Sequence, residues 1–136
     1  DVIGPDERAV GERLPSMMAP TLVLASGEPR LVVGSAGSVR LSGAIMQVIH
    51  HVVAGGESVE AAIDHPRLHV EGGVVQIEGG WPKGTAEALQ EAGQRVNRWA
   101  DRNLYFGGVS AVERLADGRL GAAGDPRRGG HGIVVP

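Results

Sequence analysis

The chain has 136 residues, of which 42% are apolar and 21% are charged, fractions that are typical of a folded domain and exclude a disordered tail or a coiled coil. Its 13 basic and 16 acidic side chains give a net charge of -3, which argues against an electrostatic nucleic-acid interface. There is no cysteine, which excludes disulfides and thiolate nucleophiles, and no apolar run approaches the roughly 20 residues that cross a bilayer.

The first half of the chain predicts a β-hairpin followed by helices. Residues 21–25 and 30–33 are strand-like and are separated by turn residues. A glycine-rich turn over 34–38 then leads into a segment whose apolar residues recur at helical spacing: Leu41, Ala44, Ile45, Val48, Ile49 and Val52. A short second helix is expected over 58–63, because His65-Pro66 must end it.

The second half predicts more strands around one further helix. In chain order we expect a hairpin, an amphipathic helix, a strand, another hairpin and a final strand, over 68–70 and 74–77, 85–92, 94–99, 109–115 and 120–123, and 132–135. This order predicts an α+β fold without a βαβ alternation.

The glycine-rich turn is the local feature that most suggests chemistry. It places successive backbone N–H groups at the start of a helix, where orphan N–H groups and the helix dipole can bind a phosphate or stabilise a developing oxyanion. The alternative is a tight strand-to-helix connection that needs glycine for its backbone angles. No Gly-Lys-Ser or Gly-Lys-Thr ending follows, so the turn is not a P-loop.

No metal or other cofactor is expected from the sequence. His50 and His51 are neighbours on a helix, so they project about 100° apart and cannot chelate one ion together. His65 and His69 lie in extended chain, which is poor geometry for joint ligation. Asp125, in the segment Asp-Pro-Arg-Arg, is expected to fix a loop by hydrogen bonding.

Four ordered blocks of the chain are more specific than any single motif. They read RLPSMMAPT over 13–21, GSAGSVRL over 34–41, HPRLH over 65–69 and GDPRR over 124–128. Together they resemble the C-terminal part of the small subunit of the γ-glutamyltranspeptidase family, which reads approximately RPLSSMSPT, GSPGGSRI, APRFHH and ASDPR at these places. The resemblance spans nearly the whole chain and implies a portion of the four-layer αββα sandwich of the N-terminal-nucleophile hydrolases.

The resemblance also implies an activity and partners. In that family a precursor cleaves itself, and the new N-terminal threonine of the small subunit transfers or hydrolyses a γ-glutamyl group, as in glutathione breakdown, through a covalent ester. Nothing like the family's Thr-Thr-His opening occurs in 1–136. We therefore expect this chain to be inactive alone and to need the remainder of the precursor, the large subunit and the N-terminal part of the small subunit. The compartment, secreted or periplasmic or cytoplasmic, stays open.

Four residues are site candidates by this resemblance. The backbone N–H groups of Gly37 and Ser38 match the paired glycines of the family's oxyanion hole. A serine there keeps a negative φ or is held in a costly positive-φ state. Ser16 matches the first of two serines that bond the glutamyl carboxylate, and Met17 replaces the second.

Because Met17 stands where the family has a serine, other functions remain possible by this resemblance. A thioether cannot donate the hydrogen bond of the missing hydroxyl. An acylase of the same fold that acts on other N-acyl amides, such as β-lactam side chains, is therefore one alternative. A non-catalytic scaffold or interaction module is the alternative from a different class.

Overall fold

The computed structural model describes residues 10–13 and 16–135, so the loop expected over 1–11 lies largely outside the described residues. The described elements, in chain order, are β1 Thr21–Ala25, β2 Glu28–Ala36, α1 Leu41–Val53, α2 Val59–Asp64, β3 Leu68–Glu71, β4 Val74–Ile77, α3 Thr85–Glu91, β5 Arg95–Arg98, β6 Gly108–Arg114 and β7 Leu120–Gly124. Short 3-10 helices cover Ser38–Arg40, Leu104–Phe106 and Pro126–Arg128. Among the described helices none is long and apolar enough to cross a membrane.

The strands form two sheets. The larger sheet has the order β1-β2-β6-β7 and is antiparallel throughout. The smaller sheet has the order β3-β4-β5, in which β3 and β4 are antiparallel and β4 and β5 are parallel. The expected α+β class is confirmed, but α3 joins β4 to the parallel β5, so one βαβ unit is present that the sequence analysis missed. The segment between these strands is long enough for the crossover of a dozen or more residues that parallel pairing requires.

One face of the larger sheet carries the aliphatic core. Side chains alternate between the two faces of a strand, and α1 and α2 cover the face that presents Leu31, Val33, Val109, Ala111 and Ala123. The helices contribute the apolar positions Leu41, Ala44, Ile45, Val48, Val52, Val59, Ala62 and Ile63. The helical spacing found in the sequence is confirmed by this packing.

The opposite face of the larger sheet is apolar, and over β1, β2 and β6 it is uncovered within the described chain; we call it the outer face. Its central row consists of Leu22, Val32 and Val112, which are cross-strand neighbours on β1, β2 and β6. These side chains are 55%, 53% and 42% exposed. A continuous apolar patch of this kind marks a surface that packs against something else.

The prediction of a final strand over 132–135 is wrong. This segment crosses a face of β7 and does not pair along the edge of that strand. The backbone of the preceding residues occupies the space where a side chain of Gly124 would stand, with His131 N 2.6 Å from that Cβ position. A Cβ points out of the plane of a sheet, whereas ladder hydrogen bonds lie in that plane. The apolar residues Ile133, Val134 and Val135 therefore stay exposed and without a ladder.

Candidate active-site wall

One end of the larger sheet gathers three of the four sequence blocks. At this end β2 finishes at Ala36, opposite the first residue of β6, Gly108. Thr21 pairs with Val33 in the antiparallel β1–β2 hairpin, so the chain before Thr21 runs towards the same end. β7 also finishes there, at Gly124. We call this the turn end of the sheet, and it carries residues 16–20, 37–38, 107–108 and 125–128.

The turn itself has an unusual backbone. Gly37 has a φ of 138° and Ser38 a φ of 58°, so Ser38 adopts the costly positive-φ conformation. Glycine is required at position 37 for a second reason, because a Cβ there would lie 2.8 Å from the Cα of Gly107. The β2–β6 ladder has already ended at Ala36, and within the described chain neither N–H of Gly37 nor of Ser38 donates a hydrogen bond. Two adjacent backbone donors thus remain at the start of the segment that becomes α1.

Arg128 is a neighbour of this turn that the sequence analysis did not single out. Its side chain fills the space that a side chain of Gly108 would need, with Cδ 2.3 Å from that Cβ position, and its Nη2 is 3.9 Å from the Cβ position of Gly37. Arg128 is exposed, and no described residue bonds its guanidinium. A free positive charge beside two N–H donors favours negative charge at this place.

A buried network of ion pairs stands behind the turn end. Arg67 Nη2 lies 2.7 Å from Asp125 Oδ2, and Arg127 Nη1 lies 3.2 Å from Asp125 Oδ1. Arg127 also binds Glu78, with Nε donating to Oε1 over 2.8 Å. All four side chains are buried. Asp125 additionally accepts the N–H of Val109 at 3.0 Å, which ties the network to the start of β6.

The same network fixes the segment 103–107, which lies beside the turn. Arg67 donates from Nη1 to the carbonyl of Phe106 at 3.2 Å, directly before Gly107. Asn103 donates its backbone N–H to Glu78 at 2.8 Å. Arg67 therefore connects the block 65–69 to the backbone against which Gly37 packs. Asp125 accepts the N–H of Arg127 at 2.9 Å, which confirms its expected role in the loop, while its pairing with Arg67 was not foreseen.

Charge pairing outweighs burial for two members of the network. Burial raises the pKa of Asp125, but the positive charge of Arg67 and the N–H groups of Val109 and Arg127 together hold that pKa below its ordinary value. Burial lowers the pKa of Arg127, but its hydrogen bond to Glu78 raises it overall. For Arg67, burial and the charge of Arg127 lower the pKa, and its Nε has no partner among the described residues. The network contains two positive and two negative side chains, and its role is to hold the surrounding loops in place.

Ser16 and Met17 precede β1 and so approach the turn end. Ser16 is exposed, and its Oγ accepts the N–H of Met18 at 3.2 Å. Met17 is half-buried and packs against the aliphatic core. A contact of either side chain with a substrate carboxylate stays a prediction. The two preceding residues of the first block, Leu14 and Pro15, lie outside the described residues.

Comparison with known proteins agrees with this geometry. The family described as Gamma-glutamyltranspeptidase matches residues 5–135. The Acylase ACY 1 proenzyme of Pseudomonas sp. (strain SE83) is 30% identical over 93% of this chain, and the Glutathione hydrolase proenzyme of Escherichia coli (strain K12) is 31% identical over 93%. Each match covers 22% of the relative, so the chain spans about a fifth of these curated relatives.

A solved structure gives the same result. The gamma-glutamyltranspeptidase from Pseudomonas nitroreducens, complexed with L-DON, superposes with a TM-score of 0.81 at 27% identity, over 99% of this chain and 72% of that one. The packing described above is therefore that of a known fold.

Proposed function

The chain belongs to the gamma-glutamyltranspeptidase family, and we propose on this premise that it supplies the oxyanion-stabilising wall of an enzyme that transfers or hydrolyses an amide-linked acyl group. The observation that carries the proposal is the pair of N–H groups at Gly37 and Ser38, which donate no hydrogen bond to any residue that the structure describes. Their backbone conformation and the nearby guanidinium of Arg128 favour an anion-binding turn over a turn that only connects β2 to α1.

The reaction needs a nucleophile from the remainder of the precursor. Attack of a threonine hydroxyl on the amide carbonyl converts the carbonyl oxygen into an oxyanion, and the N–H groups of Gly37 and Ser38 donate hydrogen bonds to it. Collapse of this intermediate expels the protonated amine and leaves an acyl ester. Water or an acceptor amine then attacks the ester, with a second oxyanion in the same place. Donors already held in position cost no reorganisation during either step.

The outer face of the larger sheet supports a partner for this chain. In a four-layer αββα sandwich each sheet has helices on one side and the second sheet on the other. Here α1 and α2 cover one face, and the row Leu22, Val32 and Val112 remains exposed. We assign this row to contact with the second sheet, contributed by the remainder of the precursor.

Gly37→Ala tests the oxyanion assignment in the complete, self-cleaved protein. The added methyl group would lie 2.8 Å from the Cα of Gly107 and must displace the turn. We expect kcat to fall about 10²–10³-fold, the usual cost of losing one such donor. Gly43→Ala is the matched control, because Gly43 lies in α1, six residues after Gly37, and a Cβ there makes only an ordinary contact, 3.8 Å from His69 Nδ1.

Two further measurements keep this test decisive. Ser38→Ala keeps the backbone N–H and removes only the hydroxyl, so it should retain activity. Circular dichroism of Gly37→Ala separates a local change in the turn from unfolding. Full activity in a folded Gly37→Ala protein would contradict the assignment, as would equal losses in Gly37→Ala and Gly43→Ala.

An acylase is the second candidate, and Met17 favours it. A thioether offers an apolar, adaptable wall and no hydrogen bond to a carboxylate, and one relative carries the name acylase. The two functions are separated by kcat/KM of the complete protein for a γ-glutamyl anilide and for an uncharged N-acyl anilide of equal length. A higher value for the uncharged substrate supports the acylase, and a higher value for the γ-glutamyl substrate supports the transpeptidase.

A further inference from the structure

We propose that His51, Glu57 and His65 form a binding site for a divalent transition-metal ion of the Zn²⁺ type. One potential ligand atom from each residue lies within 4.8 Å of the others. His51 Nδ1 is 3.0 Å from Glu57 Oε1, and His65 Nε2 is 2.7 Å from Glu57 Oε2. These residues surround the end of α1 that is remote from the turn, so the site is separate from the oxyanion wall.

The three residues stand at the ends of two helices. His51 is in the last turn of α1, and Glu57 directly precedes Ser58, which caps α2 by accepting the N–H of Ala61 at 3.2 Å. The backbone N–H of Glu57 donates to the carbonyl of His51 at 3.2 Å. His65 is the residue at which α2 ends. A ligand set fixed on two helices in this way loses little conformational entropy when an ion binds.

The connection between the helices also fits this arrangement. A Cβ at Gly55 would lie 2.6 Å from the carbonyl oxygen of His51 and 3.2 Å from Glu57 Oε1. Glycine at position 55 thus lets the loop close tightly enough to bring Glu57 beside the helix end.

The orientation of the two rings is what distinguishes this cluster from scattered surface histidines. The His51 and His65 rings are stacked, with centroids 3.9 Å apart and planes at 7° to each other. Each ring addresses a different oxygen of the same carboxylate. Two nitrogen donors and a carboxylate therefore stand within reach of one ion, and both rings can bind it once one of them turns out of the stack.

This donor set selects the class of ion. Imidazole nitrogen and carboxylate oxygen suit Zn²⁺ and neighbouring divalent ions. Around a tetrahedral zinc, with bonds of about 2.0–2.2 Å, ligand atoms stand roughly 3.3 Å apart. The two contacts with Glu57, of 3.0 and 2.7 Å, lie close to this value, and all three ligand atoms are within 4.8 Å of one another. The three side chains are 28%, 31% and 41% exposed, which leaves a side open for water as a fourth ligand.

Binding of the ion has a defined proton balance. The ion replaces the hydrogens that His51 Nδ1 and His65 Nε2 share with Glu57. A neutral ring that carries its hydrogen on that nitrogen moves it to the other ring nitrogen by exchange with water, and a protonated ring releases one proton to water. The ion then links the end of α1 to both ends of α2, which cover the core face of the larger sheet. Its effect is on the stability of this helix pair, with no step in acyl transfer.

The test uses the complete protein, freed of metal with a chelator, and Zn²⁺ itself as the probe. Competition with a chromophoric chelator measures affinity, and Co²⁺ substitution reports tetrahedral nitrogen and oxygen ligands by visible absorption. We expect one site that is lost or weakened at least about tenfold in His51→Ala, His65→Ala and Glu57→Gln. Glu57→Gln keeps a hydrogen-bonding group of the same size, so it separates loss of the ligand from loss of the fold.

His50→Ala is the matched control. His50 is an exposed neighbour of His51 whose ring only contacts the His51 ring edge-on, with centroids 6.0 Å apart. Its replacement should leave affinity within about twofold. Added Zn²⁺ should also raise the melting temperature of the wild type and not of Glu57→Gln, because an ion that binds only the folded state stabilises it. Zn²⁺ affinity equal in the wild type and the three ligand variants would overturn the proposal, as would failure of folded wild type to bind Zn²⁺.

Discussion

Replacement of Asp125 by asparagine should destabilise the protein strongly. Both carboxylate oxygens are used: Oδ2 faces Arg67 at 2.7 Å and the N–H of Val109 at 3.0 Å, and Oδ1 accepts the N–H of Arg127 at 2.9 Å. Asparagine offers one acceptor oxygen and turns an NH₂ group towards the remaining donors. It also leaves the guanidinium of Arg67 buried without its counter-charge.

The expected cost follows from this burial. Arg67 and Asp125 are each only 2% exposed. Removal of one partner from a buried pair costs about 3–5 kcal/mol. We expect a loss of this size in the free energy of unfolding of Asp125→Asn, measured by urea denaturation of the complete protein at pH 7. Asp117→Asn is the control, because Asp117 also pairs with an arginine, Arg119, but on the surface; its urea midpoint should hardly change.

The pH dependence gives an independent check. The pKa of Asp125 is lowered in the folded protein, so its contribution is fully present above the ordinary aspartate value of about 3.9. That contribution is lost as the pH falls through the lower, folded-state value. The difference between wild type and Asp125→Asn should therefore stay constant above about pH 5 and shrink below pH 4. A difference below about 1 kcal/mol at pH 7, or one that persists unchanged at pH 2, would refute this reasoning.

Three further outcomes are expected in the complete protein. Met17→Ser should raise kcat/KM for a γ-glutamyl substrate about ten- to over a hundredfold, which corresponds to about 1.5–3 kcal/mol. It should not raise kcat/KM for an uncharged acyl substrate. Parallel changes for the two substrates would show that Met17 acts through packing. Ser38→Gly removes a left-handed penalty of about 1–2 kcal/mol against an entropy cost of about 0.5–1 kcal/mol, so thermal melting should show no loss of stability, and a clear loss would point to a role for the hydroxyl. Leu31→Ala should cost about 2–5 kcal/mol in urea denaturation. Leu22→Ala should approach this cost, because we propose that a second sheet from the remainder of the precursor covers Leu22; a negligible cost there would contradict packing on the outer face.

Local patterns in the sequence were enough for most elements of the fold. The spacing of Leu41, Ala44 and Val48 depends only on neighbours along the chain, and it predicted α1 and its buried face. Turn residues likewise located the hairpins, because glycine and aspartate adopt backbone angles that other residues avoid. The order of the four blocks identified the family, since that information is also linear.

The contacts that build the site were decided by tertiary structure. Arg67 and Asp125 are far apart in the chain, and only the packing of the loops at the turn end brings them to 2.7 Å. From the sequence, His51 could only be considered as a metal ligand together with its neighbour His50. In the folded chain the packing of α1 and α2 instead stacks the ring of His51 on that of His65. The apolar segment 132–135 resembles a strand, yet its path across β7 leaves it no partner.

The physical reason is the range of the interactions concerned. Helix periodicity and turn preferences arise within a few residues, so the sequence by itself determined where helices and strands form and which family motifs they carry. Ion pairs, ring stacking and strand pairing depend on sheet register and on how helices pack across a sheet. These long-range interactions place the N–H groups of Gly37 and Ser38 beside Gly107, and they bring two histidines to Glu57.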